Sequence, residues 1–352
     1  MNVFSKLTIF YFSGTGNAKK TAEWIINSAK EKGLQTEMVN IEHFNFESSS
    51  HYDENTLIGF CSPTHGFNLP PIMLDFVVHF PKSKGAKVFI VNTRGGMKLY
   101  KLFLPGLSGI AQYFSAVVLW FKGYKIVGMQ PMDLPSNWIS LHPGLRQKVV
   151  YSIYQRCKRI TQRFADKILR GKKVYTAFWS LPFDIAIFPV SIGYYIIGRF
   201  AIAKTFVANQ SCNQCGLCVK NCPVKAIKMV EGRPFWTFDC ESCMHCMNHC
   251  PKRSIDTALG FSAILWWAVF SIIPFWIIKI IMDNQILPIQ SSSIWFELIH
   301  FFFQSVFALL SILGAYRLLH FFMRFSLFNK IIIYTSPSHY KFWRRYKAPK
   351  EF

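Results

Sequence analysis

Apolar residues in the first 170 positions come as short unbroken runs, separated by stretches in which they recur every three or four residues. Lys6 to Phe12, Thr56 to Cys61 and Lys87 to Asn92 are runs of the first kind, the pattern of parallel strands buried on both faces. Thr36 to Ile41 and Tyr124 to Met129 are weaker examples. Asn17 to Lys32, Pro70 to Phe80 and Met97 to Lys122 read as helices between them. This alternation predicts an α/β, doubly wound parallel sheet over residues 1–170. Residues 171–205 then form a connector, basic at Arg170, Lys172 and Lys173 and apolar from Phe178 to Phe200 around a single Asp184. A packed interdomain helix is the expectation there, with a segment skimming a membrane surface as the alternative.

Two longer apolar segments lie near the C-terminus, Leu259 to Met282 and Ile294 to Tyr316. Each is long enough to cross roughly 30 Å of hydrocarbon at about 1.5 Å per residue. Pro274 would kink the first and Lys279 would snorkel from it. The intervening loop, Asp283 to Ser293, has no lysine or arginine, whereas Lys252, Arg253, Arg317, Arg324 and Lys330 flank the other ends. A two-helix transmembrane hairpin over 258–317 is therefore expected, in the cell membrane, with the soluble domains and both termini on the cytoplasmic side. Glu297, His300, Gln304 and Ser311 share one side of the second segment, suited to hydrogen bonds inside a bundle or to contact with a quinone or haem.

Composition adds two constraints. Of 352 residues 51% are hydrophobic and only 16% charged, which agrees with partial immersion in lipid, and the formal charge of +22 calls for an anionic surface or an acidic partner. The tail, 318–352, ends in SHYKFWRRYKAPKEF, whose Lys341, Arg344, Arg345, Lys347 and Lys350 suit anionic membrane lipid; nothing in the chain resembles a nucleic-acid-binding fold. Ten cysteines would suggest disulfides in a small secreted chain, but eight fall between 212 and 250 at ligand spacing, and the N-terminus MNVFSKLTIFYFSGTGN reads as a strand and turn, without the features of a secretory signal. Cys61 and Cys157 stand apart and read as ordinary reduced thiols.

Those eight cysteines carry the sharpest chemistry. CNQCGLCVKNCP (Cys212 to Pro223) and CESCMHCMNHCP (Cys240 to Pro251) are both C-x2-C-x2-C-x3-C-P, offset by 28 residues. Three close thiolates wrap three corners of one 4Fe-4S cubane while the fourth reaches the other. The expected sets are crossed: Cys212, Cys215, Cys218 and Cys250 on one cluster, Cys240, Cys243, Cys246 and Cys222 on the other. Structural zinc also uses C-x2-C pairs but closes with four ligands and rarely has this rhythm. The motif matches the bacterial two-cluster ferredoxin family over residues 206–257, which implies a small α+β module and electron transfer. The basic charge departs from the acidic surface of free ferredoxins and predicts a somewhat raised potential.

After the first strand, Ser13, Gly14, Thr15, Gly16, Asn17 and Ala18 form a loop that opens a helix, an arrangement suited to a phosphate. It has neither the lysine of a Walker A loop nor the three glycines of a dinucleotide fingerprint. TIFYFSGTGN resembles flavodoxins, whose fold the strand pattern also fits, and the resemblance implies FMN with its phosphate in this loop. It also implies two ring-cradling loops, one at Ser62, Pro63, Thr64, His65, Gly66, Phe67 and Asn68, the other at Asn92, Thr93, Arg94, Gly95 and Gly96. Phe67 is the candidate stacking partner, with core packing as its alternative. His65 and Arg94 depart from the acidic flavin surroundings of flavodoxins.

The order of parts resembles fusion proteins of anaerobic bacteria that join a flavodoxin-like domain to a two-cluster ferredoxin, here with an added membrane hairpin. The implied function is a membrane-anchored electron-transfer protein relaying electrons between FMN and two 4Fe-4S clusters, with a redox protein as donor or acceptor. A non-enzymatic redox-responsive membrane protein and an FMN-dependent reductase of a quinone or organic substrate are the alternatives.

Overall fold

A computed structural model describes residues 3–44, 52–272, 294–349 and 351. The N-terminal domain is a sheet of β1 (Lys6–Tyr11), β2 (Gln35–Asn40), β3 (Thr56–Pro63), β4 (Lys87–Leu99), β6 (Lys125–Pro135) and the short β7 (Val174–Tyr175), in the order β2-β1-β3-β4-β6-β7, with β5 (Leu102–Leu104) paired antiparallel to β4. All pairings on the main path are parallel. Helices α1 (Asn17–Lys30) and α4 (Gln147–Leu169) pack on one face, α2 (Pro71–His79) and α3 (Ala111–Phe121) on the other. This is the doubly wound arrangement expected, and it puts the loops after β1, β3 and β4 together at the carboxyl edge of the sheet.

Leu7, Ile9, Leu57, Ile58, Val88 and Phe89 are fully buried, as the unbroken runs predicted; burying such a side chain contributes about 1.5–3 kcal/mol. Two local expectations change. Met97 to Leu99 belong to a strand, so the helix expected over Met97 to Lys122 begins only at Ala111. Helix α4 had not been anticipated, although Val150, Ile153, Tyr154, Cys157, Phe164 and Ile168 bury one helical stripe against the sheet.

The connector is not a single packed helix. It bends by 77° between Thr176–Ala186 and Phe188–Ala203. Helices α5 (Leu181–Ala186), α6 (Phe188–Gly193) and α7 (Arg199–Ala203) are joined through a π turn at Tyr194–Gly198. One side anchors it: Asp184, 2% exposed, accepts the Ser108 and Gly109 N–H groups at 2.9 and 2.8 Å and the Ser180 hydroxyl at 2.7 Å. The single acid of the apolar run is thus a fastening. The opposite side leaves Phe178, Trp179, Phe183, Ile185, Val190 and Ile196 exposed.

The cysteine module comprises β8 (Phe206–Ala208), α8 (Leu217–Lys220), β9 (Ile227–Val230), β10 (Arg233–Trp236), α9 (His245–His249) and β11 (Ile255–Thr257), with two antiparallel pairs, β9–β10 and β8–β11. Its Phe206, Trp236, Met244 and Met247 join the same buried core as α1 and α4 of the sheet domain, so the two modules share one apolar interior. Helices α10 (Leu259–Trp267, continued by a π turn to Ile272), α11 (Ile294–Phe322) and α12 (Ser326–Tyr334) follow. Within α11, Gln304–Phe322 is long and apolar enough to cross a membrane, and only 18% of that stretch is buried in the chain. Pro274, Lys279 and the loop Asp283 to Ser293 lie outside the described residues.

The tail departs most from expectation. Tyr346 is buried and the Arg345 side chain is only 4% exposed, pairing at 3.0 Å with Asp256, which has no exposure at all. Trp343 donates its indole N–H to the Ile139 carbonyl at 2.6 Å, and Tyr346 bonds Asn17 and Tyr154. Half of the basic, aromatic tail is therefore a strap between modules; Lys341, Arg344 and Lys347 stay exposed.

Candidate iron-sulfur and flavin sites

The 28-residue repeat is visible in the backbone. Left-handed residues recur in register at Gln214 and Ser242, Gly216 and Met244, and Lys225 and Arg253. Five of the six are not glycine, and each such position costs on the order of 1–2 kcal/mol, so the turns are held by their surroundings. The same register recurs in hydrogen bonding: the Ala226 N–H donates to Cys222 Sγ at 3.3 Å and the Ser254 N–H to Cys250 Sγ at 3.4 Å. These are the two fourth cysteines, and an N–H directed at a ligand sulfur stabilises the reduced, more negative state of a cluster.

The fold brings each fourth cysteine close to the other motif, Cys250 to Cys218 and Cys222 to Cys240, Cys243 and Cys246. Cys212, Cys215, Cys218 and Cys250 line one cavity of about 50 Å³, which Cys246 of the second motif also borders, with Met229 and Pro234 closing it. Cys240, Cys243, Cys246 and Cys222 are mutual electrostatic neighbours at the second position. Burial pushes these thiols upward, Cys218 to about 11 and Cys240, Cys243 and Cys246 further. As unligated thiolates they would be costly to bury, whereas bound iron keeps a coordinating sulfur deprotonated. Among the described residues no three His, Cys, Asp or Glu side chains converge tightly enough for one metal ion.

The two positions differ in surroundings. Cys215 is exposed, while Cys240 is buried. A Cβ placed on Gly14 would lie 2.7 Å from the Cys243 Cβ and carbonyl, so the phosphate-type loop sits directly on the second cluster position. His245 Nδ1 reaches the Gly14 carbonyl at 2.5 Å, Trp138 donates to the Ser242 carbonyl at 2.8 Å, and Glu241 accepts the Ile72 N–H at 2.7 Å at the start of α2. Burial pushes the Glu241 carboxyl up to about 8, opposed by that N–H.

At the flavin loops, the phosphate half keeps its form. Gly16, at φ 98°, precedes α1, whose first turn carries no acid, and the Ser13 hydroxyl accepts the Gly16 N–H at 3.1 Å. Thr15 and Asn17 are turned to protein partners: Thr15 bonds Asn137, and Asn17 donates to the Pro135 carbonyl at 3.0 Å while accepting the Tyr154 and Tyr346 hydroxyls. Ala18 is core. The α1 N-terminus and its backbone therefore fit a phosphate, but not through the side chains anticipated.

The ring half differs more. Thr93, Arg94, Gly95 and Gly96 do not form a loop: they extend β4 and pair with Met132 to Pro135 of β6. Arg94 faces away, its Nε on Asp133 at 2.7 Å and its Nη1 on Ser108 and Ser180. Thr64 stays at the edge, its hydroxyl accepting from Asn92 and its N–H donating to the Thr93 carbonyl at 2.8 Å, next to the strand-ending Pro63. His65 is buried, which lowers its pKa to about 4, and its Nδ1 has no partner, leaving one acceptor unused. Phe67 is strained at φ 67°, its carbonyl held by Ser191 and Ile110. The ring that packs on Gly66 is Tyr194 of the connector, not Phe67, and Tyr194 lies 5.6 Å from Trp138.

Residues 9–99 match the flavodoxin family model, and residues 211–255 match that of the 4Fe-4S dicluster domain. The chain is a flavodoxin–ferredoxin fusion. Its cofactors are accordingly FMN and two 4Fe-4S clusters, and it is an electron-transfer protein. Among solved structures, the flavodoxin domain is similar to a Streptococcus pneumoniae flavodoxin (16% identity, 47% of this chain and 97% of that one, TM-score 0.32). An archaeal flavodoxin gives 19% identity over 46% of this chain and 98% of its own, at a TM-score of 0.30. Rubredoxin:oxygen oxidoreductase from Desulfovibrio gigas gives 15% identity over 46% of this chain and 35% of its own, at 0.29. None of the curated proteins compared matches the chain. Trp138, Tyr194, Glu241, His245 and Tyr346 have no mark in the sequence because each meets the site through a contact with a distant segment.

Proposed function

We propose that this protein is a membrane-anchored relay that moves electrons between the FMN of the flavodoxin domain and the two clusters of the ferredoxin module. The observation that carries this reading is the direct packing of Gly14 on Cys243. FMN supplies one- or two-electron chemistry and 4Fe-4S clusters supply one-electron chemistry. The chain's part is positional: Gly14, His245, Trp138 and Ser242 close the junction between the two sites, and the shared core fixes their separation.

Membrane anchoring is supported by the apolar stretch Gln304–Phe322 and by the exposed apolar side of the bent connector. Arg317, Arg324 and Lys330 near its end favour a cytoplasmic placement of both soluble modules and the tail. Exposed Lys341, Arg344 and Lys347 suit anionic lipid. Around the open cluster position, Lys220, Lys225, Lys228, Lys252 and Arg253 are all exposed, a rim suited to an acidic one-electron carrier as donor or acceptor.

Anaerobic purification from membranes with iron, sulfide and flavin analysis tests the reading, followed by photoreduction of the flavin while the cluster EPR signals are recorded. Cluster reduction tracking flavin reduction is expected. Zinc in place of iron, or a flavin whose reduction leaves the clusters oxidised, would overturn it.

A further inference from the structure

A cavity of about 200 Å³ opens between α7, α10 and α11, walled by Ile202, Phe261, Leu265, Trp266, Ile312 and Tyr316. Almost everything facing it is apolar, and two of its three walls are the segments read as membrane-embedded or membrane-facing. Lys204 also lines it. That lysine is 6% exposed, donates to the Trp236 carbonyl at 2.5 Å, and lies over the rings of Phe238, Tyr316 and Phe235 at 4.4, 4.7 and 5.1 Å. An ammonium has three donors, and only one here has an oxygen acceptor. Behind the lysine lies the buried cluster position, with the Cys240 thiol within its electrostatic reach and Trp236 in the same core as Cys240.

The Trp236 carbonyl and three rings hold the ammonium in place, and an acyl chain in the cavity would leave its remaining donors unused. The features that must be met together are an apolar space lined by aromatic rings between helices read as membrane-facing, a lysine on its wall with donors to spare, and an electron-transfer centre near that lysine. We propose that this cavity binds the ring of a lipid-soluble quinone, with Lys204 donating to one quinone carbonyl and the isoprenoid tail leaving between α10 and α11. The proposal rests on the relay reading and names its membrane-side redox partner.

Conversion of the bound quinone to quinol takes two electrons and two protons. The electrons come, one at a time, from the one-electron donor that charges the iron-sulfur module. One proton comes from the Lys204 ammonium and the other from water, with Lys204 reprotonated from solvent.

The full chain in detergent, loaded with its clusters, is irradiated with a photoreactive azido-decylquinone, and the labelled peptides are mapped. Labelling of the segments that hold Leu265, Trp266 and Ile312 is expected, with competition by decylubiquinone. Ala308→Phe, which fills the cavity from α11, should lower that labelling at least tenfold, as should Ser262→Phe from α10, while iron and sulfide contents stay at the parent value. In stopped flow, decylubiquinone should reoxidise the dithionite-reduced parent at least tenfold faster than either variant, with ferricyanide reoxidation unchanged. Labelling elsewhere, or variants that label and react like the parent, would overturn the quinone site. Absence of iron and sulfide from the parent would instead sink the relay reading itself.

Discussion

The two cysteine nests have one spacing, one set of left-handed turns and one pattern of N–H to sulfur bonds, yet they occupy different environments. The nest closed by Cys250 faces solvent at Cys215, and the exposed Lys220, Lys228 and Lys252 adjoin its lining residues in sequence. The nest closed by Cys222 packs against Gly14 and Trp138, with Cys240 buried and its other three thiols half-buried. Ligand chemistry is set by the repeat, whereas access and polarity are set by what each copy packs against. Burial in low dielectric disfavours the more negative reduced state, and nearby lysines favour it, so the open cluster should hold the higher potential.

The largest effects test the crossing. Cys222→Ser lies in the first motif but should abolish the EPR signal of the buried cluster, and Cys250→Ser, in the second, that of the open one. If each substitution erased the cluster of its own motif, the pairing seen here would be wrong.

Next comes the floor of the open nest, where Asp256 pairs with Arg345 and accepts from Asn209 at 2.7 Å and Ser338 at 3.0 Å. Asp256→Asn leaves Arg345 buried without its countercharge and should cost about 3–5 kcal/mol in urea unfolding. A loss below about 1 kcal/mol would mean the strap does not hold the open nest.

On the sealed side, His65 should make stability pH-dependent. Its folded pKa of about 4 lies below the unfolded 6.5, so the unfolded chain binds the proton first and stability declines as pH falls from 6.5 toward 4. The decline is at most about 3 kcal/mol, and His65→Gln should flatten it in urea titrations at stepped pH.

Gly14→Ala probes the junction more gently. Its Cβ would overlap Cys243, and overpacking of this kind costs about 1–3 kcal/mol. Slower cluster reduction after flavin photoreduction should accompany it, with the open cluster's potential unmoved. Smallest is the rim: Lys220→Glu with Lys228→Glu should slow reduction by an acidic carrier several-fold at low salt and little at high salt, as expected when exposed charges steer encounter. Equal slowing at both salt concentrations would argue against electrostatic docking.

How much of this was legible depended on distance along the chain. Strands β1, β3 and β4 were readable because a buried parallel strand is a continuous apolar run, and α2 was readable from the recurrence of its apolar residues. Met97 to Leu99 were misread because an apolar run of that length suits a hairpin strand as well as a helix, and only pairing with Leu102 to Leu104 decides it. Arg94 was misassigned because a charged residue near a ligand edge looks functional until its partner, Asp133, 39 positions away, is in place.

The sequence by itself determined the cysteine spacing of both nests, the phosphate-type loop and the class of chemistry, because each is encoded within a few residues whose spacing must match a rigid group. Tertiary structure alone decided that Cys243 lies on Gly14, that Tyr194 holds the ring slot, that Tyr346 reaches Asn17 across 329 positions, and that one of two equal nests is open. Those outcomes depend on which apolar faces find one another, and hydrophobic burial, being non-directional, leaves no local mark of its partner in the chain.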